Sequence, residues 1–178
     1  MNSIRVHDKN FVPYLSAQAI DEKVKELAGR ISLDYEGKRP LIIAVLNGSF
    51  LFAADLFRNL SIEAEISFIK LASYKGTSSS GNVITAIGLE ESLHERHIIL
   101  LEDIIDTGKT LHDFLPQLDH QGPASIKIAA LLTKPEALKY PVHADYMGFA
   151  IPNKFVVGYG LDYDGLGRNI PEIYQLEG

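Results

Sequence analysis

The sequence predicts an α/β domain in which helices flank a parallel β-sheet. Residues 41–46 and 98–101 are continuous apolar runs, which is typical of strands buried on both faces of such a sheet. Residues 125–132 form a third strand of the same kind. The first two runs lead into small polar turns, and apolar residues at helical spacing follow each turn. Strands that alternate with helices in this way indicate a doubly wound sheet.

Composition restricts the class of protein. The chain has 178 residues, 46% of them hydrophobic and 22% charged, which is usual for one soluble domain with a sizeable core. It contains no cysteine, which excludes disulfides and thiolate metal sites. We expect a cytoplasmic protein that does not span a membrane, because no apolar secretion segment or bilayer-length run is present. The net charge of −6 argues against a nucleic-acid partner.

The first half of the chain predicts two helices and two strands. Apolar residues recur at helical spacing between Ile20 and Ile31, so this segment is expected to pack on the sheet as a helix. The strand at 41–46 leads through Asn47, Gly48 and Ser49 into a second helix. Residues 64–74 alternate partly and predict another strand.

The second half begins with a small polar segment at residues 75–82, which fits either a passive hairpin or a mobile flap. The core strand then runs to Ile105 and precedes a short helix, which Pro116 is expected to kink or end. Residues 146–163 are extended in character. Ligands of doubly wound sheets bind beyond the carboxyl ends of strands, where Asn47, Glu102, Asp106 and Lys134 are expected to lie.

The segment from Ile98 to Thr110 carries the strongest chemical signal. Its strand ends in three carboxylates, those of Glu102, Asp103 and Asp106, and a Gly-containing turn then opens a helix. The N–H groups of such a turn favour phosphate. Acids beside a phosphate repel it unless a divalent cation or sugar hydroxyls intervene. A phosphorylated sugar with bound magnesium would supply both.

Three other motifs fail. A nucleotide-triphosphatase loop ending at Gly108 needs glycine at position 103, where the chain has Asp103. Gly158 and Gly160 lack the third glycine of a dinucleotide fingerprint, since Tyr163 stands there. His94 and His97 lie in a charged stretch, which favours a solvated surface over a metal site.

The apolar strand with its acids and turn resembles the phosphoribosyltransferase signature, and residues 45–50 and 154–163 resemble the hypoxanthine-guanine branch of that family. The resemblance extends from about residue 41 to residue 168. It implies a type I phosphoribosyltransferase fold, with a central parallel sheet flanked by helices. It also implies one domain over residues 1–178, a flexible active-site flap at 73–85 and a small hood formed by the C-terminal segment 146–178.

The resemblance implies roles for the residues of the signature. Asp106, Thr107, Gly108, Lys109 and Thr110 match the loop that holds the 5′-phosphate. Glu102 and Asp103 match the acids that engage the ribose hydroxyls, directly or through Mg²⁺. Asp106 also matches the general base for the proton on purine N7; from the residues alone it is as well explained as a helix N-cap.

The purine side is implied by residues later in the chain. Lys134 matches the donor to the 6-oxo group, although without the resemblance a solvated lysine is the simpler interpretation. Phe155 matches the aromatic residue that stacks on the base, and composition alone favours an ordinary core phenylalanine. The carbonyl of Val156 would meet the purine edge. Asp162 is grouped with these purine-binding residues and matches the ligand of the metal on the pyrophosphate side.

The pyrophosphate side is implied by Leu46, Asn47, Gly48 and Arg168, while Ser73 and Tyr74 match the start of the flap. The pyrophosphate loop often contains a non-proline cis bond in this family, which sequence does not reveal. Asn47 is a departure, because some relatives carry a basic residue there. The segment before Arg168 is also less bulky than usual.

The expected function is a purine salvage enzyme that makes IMP, and also GMP, from hypoxanthine or guanine and phosphoribosyl pyrophosphate. Relatives of this kind are dimers or tetramers, so a homodimer or homotetramer is expected. The alternative is a regulatory protein that uses the same fold as a ligand sensor, with RNA or DNA as a partner. The acidic charge and the lack of an added DNA-binding segment count against it.

Overall fold

The computed structural model describes residues 2–74 and 83–178, and for residues 72–74 and 83–87 it describes the backbone alone. Within these ranges the chain forms ten strands and three α-helices. In order they are β1 (Ile4–Val6), β2 (Lys9–Leu15), α1 (Ala17–Asp34), β3 (Leu41–Leu46), α2 (Phe50–Arg58), β4 (Glu65–Tyr74), β5 (Val83–Ile87), β6 (His97–Ile105), α3 (Lys109–Asp119), β7 (Ser125–Thr133), β8 (Tyr146–Ala150), β9 (Val156–Val157) and β10 (Ile173–Leu176).

Six strands form the main sheet in the order β5-β4-β3-β6-β7-β8. The five strands from β4 to β8 in this order are parallel to their neighbours, and β5 pairs antiparallel with β4. The predicted α/β class and parallel sheet are confirmed. The central strands β3 and β6 are buried on both faces, as their unbroken apolar sequences predict.

Two apolar layers cover the main sheet. On one face, α1 and α2 pack Val24, Leu27 and Phe52 against Ile42 and Ile99. On the other face, α3 contributes a second cluster, which includes Leu111, Phe114, Leu118, Ile43 and Leu100. Successive residues of one strand enter opposite layers because strand side chains alternate. The polar residues that follow the strands lie beyond these two layers, at the edge of the sheet.

The hood is an antiparallel sheet of order β1-β2-β10-β9, with a small core of Val6, Phe11, Val157 and Tyr174. The strands that form this sheet correct the prediction that the hood consists of the C-terminal segment 146–178. Strand β8 belongs to the main sheet, where it pairs with β7, and the N-terminal strands β1 and β2 supply half of the hood. The pairing of β2 with β10 joins opposite ends of the chain, so no local pattern reveals it.

Helix α3 runs through Pro116 to Asp119, so of the two outcomes expected at Pro116, a kink or an end of the helix, the end is excluded. The N–H of His120 donates to the Pro116 carbonyl, which continues the helical hydrogen bonding. A proline at this position removes one N–H from the ladder. The carbonyl that loses its partner is that of His112, which is exposed to water.

No described helix is both long and apolar enough to cross a bilayer.

Candidate active site

The carboxyl ends of β3, β6 and β7 meet at one edge of the main sheet. There the Lys134 ammonium lies 3.3 Å from Oδ2 of Asp106. The Lys134 N–H also donates to the Ile105 carbonyl at 2.9 Å, which fixes the strand end beside β6. Lys134 is only 7% exposed, so the interpretation as a solvated lysine is wrong. The two residues form a shielded ion pair, with Asp106 on its open side.

The turn after Asp106 surrounds a cavity of about 280 Å³, which is also lined by Glu102 and by residues 107–110. The N-cap of α3 is Gly108, with φ 81°, and no side chain caps the helix. Asp106 is therefore not the N-cap, and that interpretation is wrong. The N-terminus of α3 is directed at the cavity, an arrangement that favours an anion.

A segment beyond β7 supports this phosphate-type turn from behind. The Thr107 carbonyl accepts hydrogen bonds from the N–H groups of Lys139 and Tyr140, at 2.9 and 3.1 Å. A Cβ atom at Gly108 would approach Leu138 Cδ1 to 3.0 Å. The ammonium of Lys109 pairs with Asp113 at 2.6 Å. The turn thus relies mainly on backbone groups to present a binding surface.

Glu102 and Asp103 are acids whose pKa values are raised by burial. Burial, followed by the charge of Asp103, raises the pKa of Glu102 well above its usual value. Burial likewise raises the pKa of Asp103 to about 6, although a hydrogen bond from the Ile104 N–H acts to lower it. Shielded carboxylates of this kind gain from a cation that neutralises them. Their oxygens are also the donors that Mg²⁺ prefers.

The loop between β3 and α2 lies directly against Asp103. A Cβ atom at Gly48 would stand 1.8 Å from Oδ2 of Asp103, so only glycine fits there. The Leu46–Asn47 peptide bond is cis, which settles the point that sequence left open. Ser49 ties the loop to the strand, since its hydroxyl donates to the Val45 carbonyl at 2.5 Å.

Asp162 and Arg168, which are near the C-terminal end of the sequence, also lie close to Asp103. Their side chains form an ion pair at 2.9 Å, and Arg168 also donates to the Gly160 carbonyl at 2.6 Å. A Cβ atom at Gly160 would lie 2.1 Å from the carbonyl oxygen of Gly48, so this segment rests on the loop after β3. Arg168 lowers, and Asp162 raises, the pKa of Asp103, which indicates how near both charges are.

Phe155 precedes β9 and is 44% exposed, so it is not an ordinary core residue. Its ring lies edge-on to Tyr163, with ring centroids 5.8 Å apart and an interplanar angle of 80°. Phe11, which is fully buried, supports it at 6.3 Å, and the Tyr163 hydroxyl donates to Asp8 at 2.7 Å. Sequence reasoning missed Asp8, Phe11 and Tyr163, because β1 and β2 showed no signal that they join the hood.

Not every predicted site residue can be placed. Ser73 and Tyr74 end β4, but their side chains lie outside the described residues, as does most of the predicted flap 73–85. Val156 is buried in β9, opposite Gln175. Within residues 2–74 and 83–178 no three His, Cys, Asp or Glu side chains lie close enough together to hold a metal ion by themselves, so Glu102, Asp103 and Asp162 do not form a complete protein site for one.

Comparison with known proteins identifies the family. Residues 13–164 match the family model described as a phosphoribosyl transferase domain. The chain therefore belongs to the phosphoribosyltransferase family, which are transferases, and its fold is the type I fold of that family.

Several similar proteins belong to one branch of the family. The chain is 43% identical to a hypoxanthine-guanine phosphoribosyltransferase of Lactococcus lactis over 92% of this chain and 89% of the relative. It is 39% identical to a hypoxanthine-guanine-xanthine phosphoribosyltransferase of Tritrichomonas foetus, over 86% and 85%. A crystal structure of a Staphylococcus aureus hypoxanthine phosphoribosyltransferase superimposes with a TM-score of 0.87 at 35% identity, covering 93% of this chain and 91% of the other. Within the family, the chain belongs to the hypoxanthine-guanine phosphoribosyltransferases.

Proposed function

We propose that the chain transfers the phosphoribosyl group of phosphoribosyl pyrophosphate to hypoxanthine and guanine, which yields IMP or GMP and pyrophosphate. The observation that carries this proposal is the Lys134–Asp106 pair at 3.3 Å, beside the cavity at the N-terminus of α3. A base that accepts a proton and a cation that donates to an oxo group are what a 6-oxopurine requires on its N7 and O6 side.

In the proposed reaction, N9 of the purine forms a bond to the ribose C1′ as the bond from C1′ to pyrophosphate breaks. The proton on N7 goes to the Asp106 carboxylate, and Lys134 donates to O6. Phe155 stacks on the purine ring, and the Val156 carbonyl meets its edge. Stacking of a base on an aromatic side chain contributes about 1–3 kcal/mol in single-strand binders, a useful scale for Phe155.

The sugar phosphate occupies the cavity at the end of β6. Backbone N–H groups of residues 107–110 hold the 5′-phosphate at the N-terminus of α3. Glu102 and Asp103 engage the ribose hydroxyls. Leu46, Asn47, Gly48 and Arg168 bind the pyrophosphate.

Magnesium would be held by carboxylates of Glu102, Asp103 and Asp162 together with oxygens of the substrate. Mg²⁺ at nucleotide sites is commonly bound through one or two carboxylates and substrate phosphates rather than by a complete protein cage. When bound, it neutralises charge that develops on the departing pyrophosphate.

The domain, the flap and the assembly belong to the same proposal. Residues 1–178 form a single phosphoribosyltransferase domain, and Ser73, Tyr74 and the flap 73–85 close over the reacting centre to exclude water. The protein acts in the cytoplasm as a homodimer or homotetramer, which light scattering coupled to size-exclusion chromatography would determine.

The test is an assay with purified protein, Mg²⁺, phosphoribosyl pyrophosphate and one base at a time, in which nucleotide and pyrophosphate are quantified. Hypoxanthine and guanine should each give stoichiometric monophosphate and pyrophosphate. Binding of the substrates without any turnover would favour the regulatory alternative, and turnover of uracil alone would contradict the proposed substrate class.

A further inference from the structure

Residues 158–168, here called the arm, carry Asp162 and Arg168 and fold back on themselves. The Gly160 N–H donates to the Arg168 carbonyl at 2.9 Å, and the Arg168 guanidinium returns a hydrogen bond to the Gly160 carbonyl at 2.6 Å. Two short bridges, between residues 158 and 161 and between 163 and 166, close the turns. Because the arm is internally braced, its position depends on how it is attached to its neighbours.

Tyr159 has a backbone conformation that its residue type disfavours. Its φ is 46°, and the neighbours Gly158 and Gly160 have φ values of 106° and 97°. Glycine enters this region freely, whereas a bulky side chain is rare there. Three consecutive left-handed residues would be accommodated most easily by three glycines. Because the middle residue is a tyrosine, we infer that a contact of its side chain compensates for the disfavoured backbone conformation.

That side chain joins the arm to α2. Tyr159 is 6% exposed, and its hydroxyl donates to Oδ2 of Asp55 at 2.6 Å. The other oxygen of Asp55 is 3.2 Å from Nε of Arg58, which fixes the carboxylate. Burial and the hydrogen bond to Asp55 both raise the pKa of Tyr159, so its hydroxyl remains a donor.

Helix α2 continues directly from the loop 46–48. The Phe50 N–H donates to the Asn47 carbonyl at 3.3 Å, and the Ala53 N–H donates to the Ser49 carbonyl at 2.8 Å. Asp55 therefore lies between one and two helical turns beyond Phe50, which is bonded to the loop. The backbone of Gly160 also lies against the Gly48 carbonyl. The arm therefore contacts both the loop 46–48 and the helix α2 that follows it.

We propose that Tyr159 and Asp55 are a positioning pair that sets the separation between the loop 46–48 and the arm, and thereby sets affinity for the pyrophosphate end of the substrate. The inference rests on the proposed function, which assigns pyrophosphate to these two segments. The purine side has its own attachment to the hood, because β9 pairs with β10, with Val156 opposite Gln175. Tyr163 of the arm, which contacts Phe155, is also bonded to the hood side through Asp8 at 2.7 Å. Removing the hydrogen bond between Tyr159 and Asp55 should therefore lower the affinity for phosphoribosyl pyrophosphate and leave the affinity for the purine nearly unchanged.

The first test compares Tyr159→Phe with Tyr146→Phe. Tyr146 is a matched control, since it is 5% exposed and donates to Oδ2 of Asp34 at 2.6 Å, on another part of the main sheet. Tyr159→Phe should raise the KM for phosphoribosyl pyrophosphate and the inhibition constant of pyrophosphate about fivefold to tenfold, the loss of one hydrogen bond. The KM for hypoxanthine should stay within about twofold in both variants.

Equal effects of the two variants on phosphoribosyl pyrophosphate, or an equal rise in the KM of both substrates, would overturn the proposal. Calorimetric titration of phosphoribosyl pyrophosphate with Mg²⁺ gives the same comparison without turnover. If wild type bound this ligand but made no nucleotide, the proposed reaction would fail, and the comparison of dissociation constants would still decide the role of Tyr159.

The second test uses Asp55 and does not require Tyr159→Phe to fold. Asp55→Asn keeps an acceptor oxygen and should retain wild-type affinity for phosphoribosyl pyrophosphate within about twofold, whereas Asp55→Ala should lower that affinity about fivefold to tenfold. The double variant with alanine at 55 should be no weaker than either single variant, because the two residues share one interaction. Fully additive losses, or equal losses in the asparagine and alanine variants, would contradict the pair.

Discussion

The ammonium group of Lys134 lies 3.3 Å from Oδ2 of Asp106, although the two residues follow different strands. The side chain of Lys134 is 8% exposed and that of Asp106 is 52% exposed, so the cation is shielded while the carboxylate faces the open side. In the proposed reaction, the pair would bring a proton acceptor and a fixed donor together before any purine is bound. Preorganised charges of this kind stabilise developing charge without reorganisation during the reaction.

Lys134→Ala should weaken oxopurine use selectively. The variant loses a charged hydrogen bond to O6 and should raise the KM for hypoxanthine by about tenfold to a hundredfold. The KM for phosphoribosyl pyrophosphate should change far less, as steady-state kinetics with each substrate varied in turn would show. Lys127→Ala is the control, because Lys127 is an exposed lysine paired with Asp145. Unchanged hypoxanthine kinetics in the Lys134 variant would remove that residue from purine recognition.

Asp106→Asn should lower kcat by about a hundredfold or more, because general bases commonly contribute that much. Asparagine preserves the shape of the side chain, so the dissociation constant for phosphoribosyl pyrophosphate should stay close to that of wild type. Asp119→Asn, an exposed acid at the end of α3, provides the reference. Turnover equal to that of the reference would exclude Asp106 as the base.

Gly48→Ala should abolish productive binding of phosphoribosyl pyrophosphate. The added Cβ would come within 1.8 Å of Oδ2 of Asp103, so the loop or the acid must move. Calorimetry with Mg²⁺ present measures the loss. Gly29→Ala is the matched control, since nothing lies within 4 Å of its added Cβ and alanine favours the helix α1. Equal affinity in the two variants would show that the contact between Gly48 and Asp103 is unimportant.

Asp103→Asn should stabilise the metal-free protein while it impairs magnesium-dependent activity. The pKa of Asp103 is raised from 3.8 to about 6, so the folded state binds more protons than the unfolded state between these values. Stability of the metal-free wild type therefore falls as pH rises through that range. At pH 7.5 in a chelator, the variant should gain about 1–3 kcal/mol in the free energy of unfolding.

Urea unfolding at pH 7.5 and at pH 4.5 measures this effect, and the gain should shrink at the lower pH. Asp119→Asn again serves as the control, since this exposed acid lies away from Asp103. A variant that is less stable than wild type at pH 7.5 would contradict the assignment of burial as the cause of the shift.

Much of this fold could be predicted because its signals are local. The apolar runs of β3 and β6 and the acids that follow β6 are contiguous in sequence, so their strand, turn and helix could be predicted in order. Gly108 shows the limit, because the choice of N-cap depends on backbone geometry that favoured glycine over Asp106. Only the structure distinguishes these two positions.

The contacts that sequence missed join distant segments. Asp8 meets Tyr163, and Phe11 meets Phe155, across nearly the whole length of the chain. The strand β2 contains Pro13, which cannot donate to a neighbouring strand, so its pattern gave little indication of a partner. The burial of Lys134 depends in the same way on neighbouring elements rather than on its own sequence context.

The most direct test of the account is a competition in one mixture of wild-type protein, Mg²⁺ and phosphoribosyl pyrophosphate with equal hypoxanthine and adenine. The rates of IMP and AMP formation give the ratio of the two kcat/KM values. Adenine offers an amino group where Lys134 needs an oxo acceptor, so we predict that IMP exceeds AMP by about a hundredfold or more. Equal rates, or AMP alone, would contradict the assignment of an oxopurine site to Lys134 and Asp106.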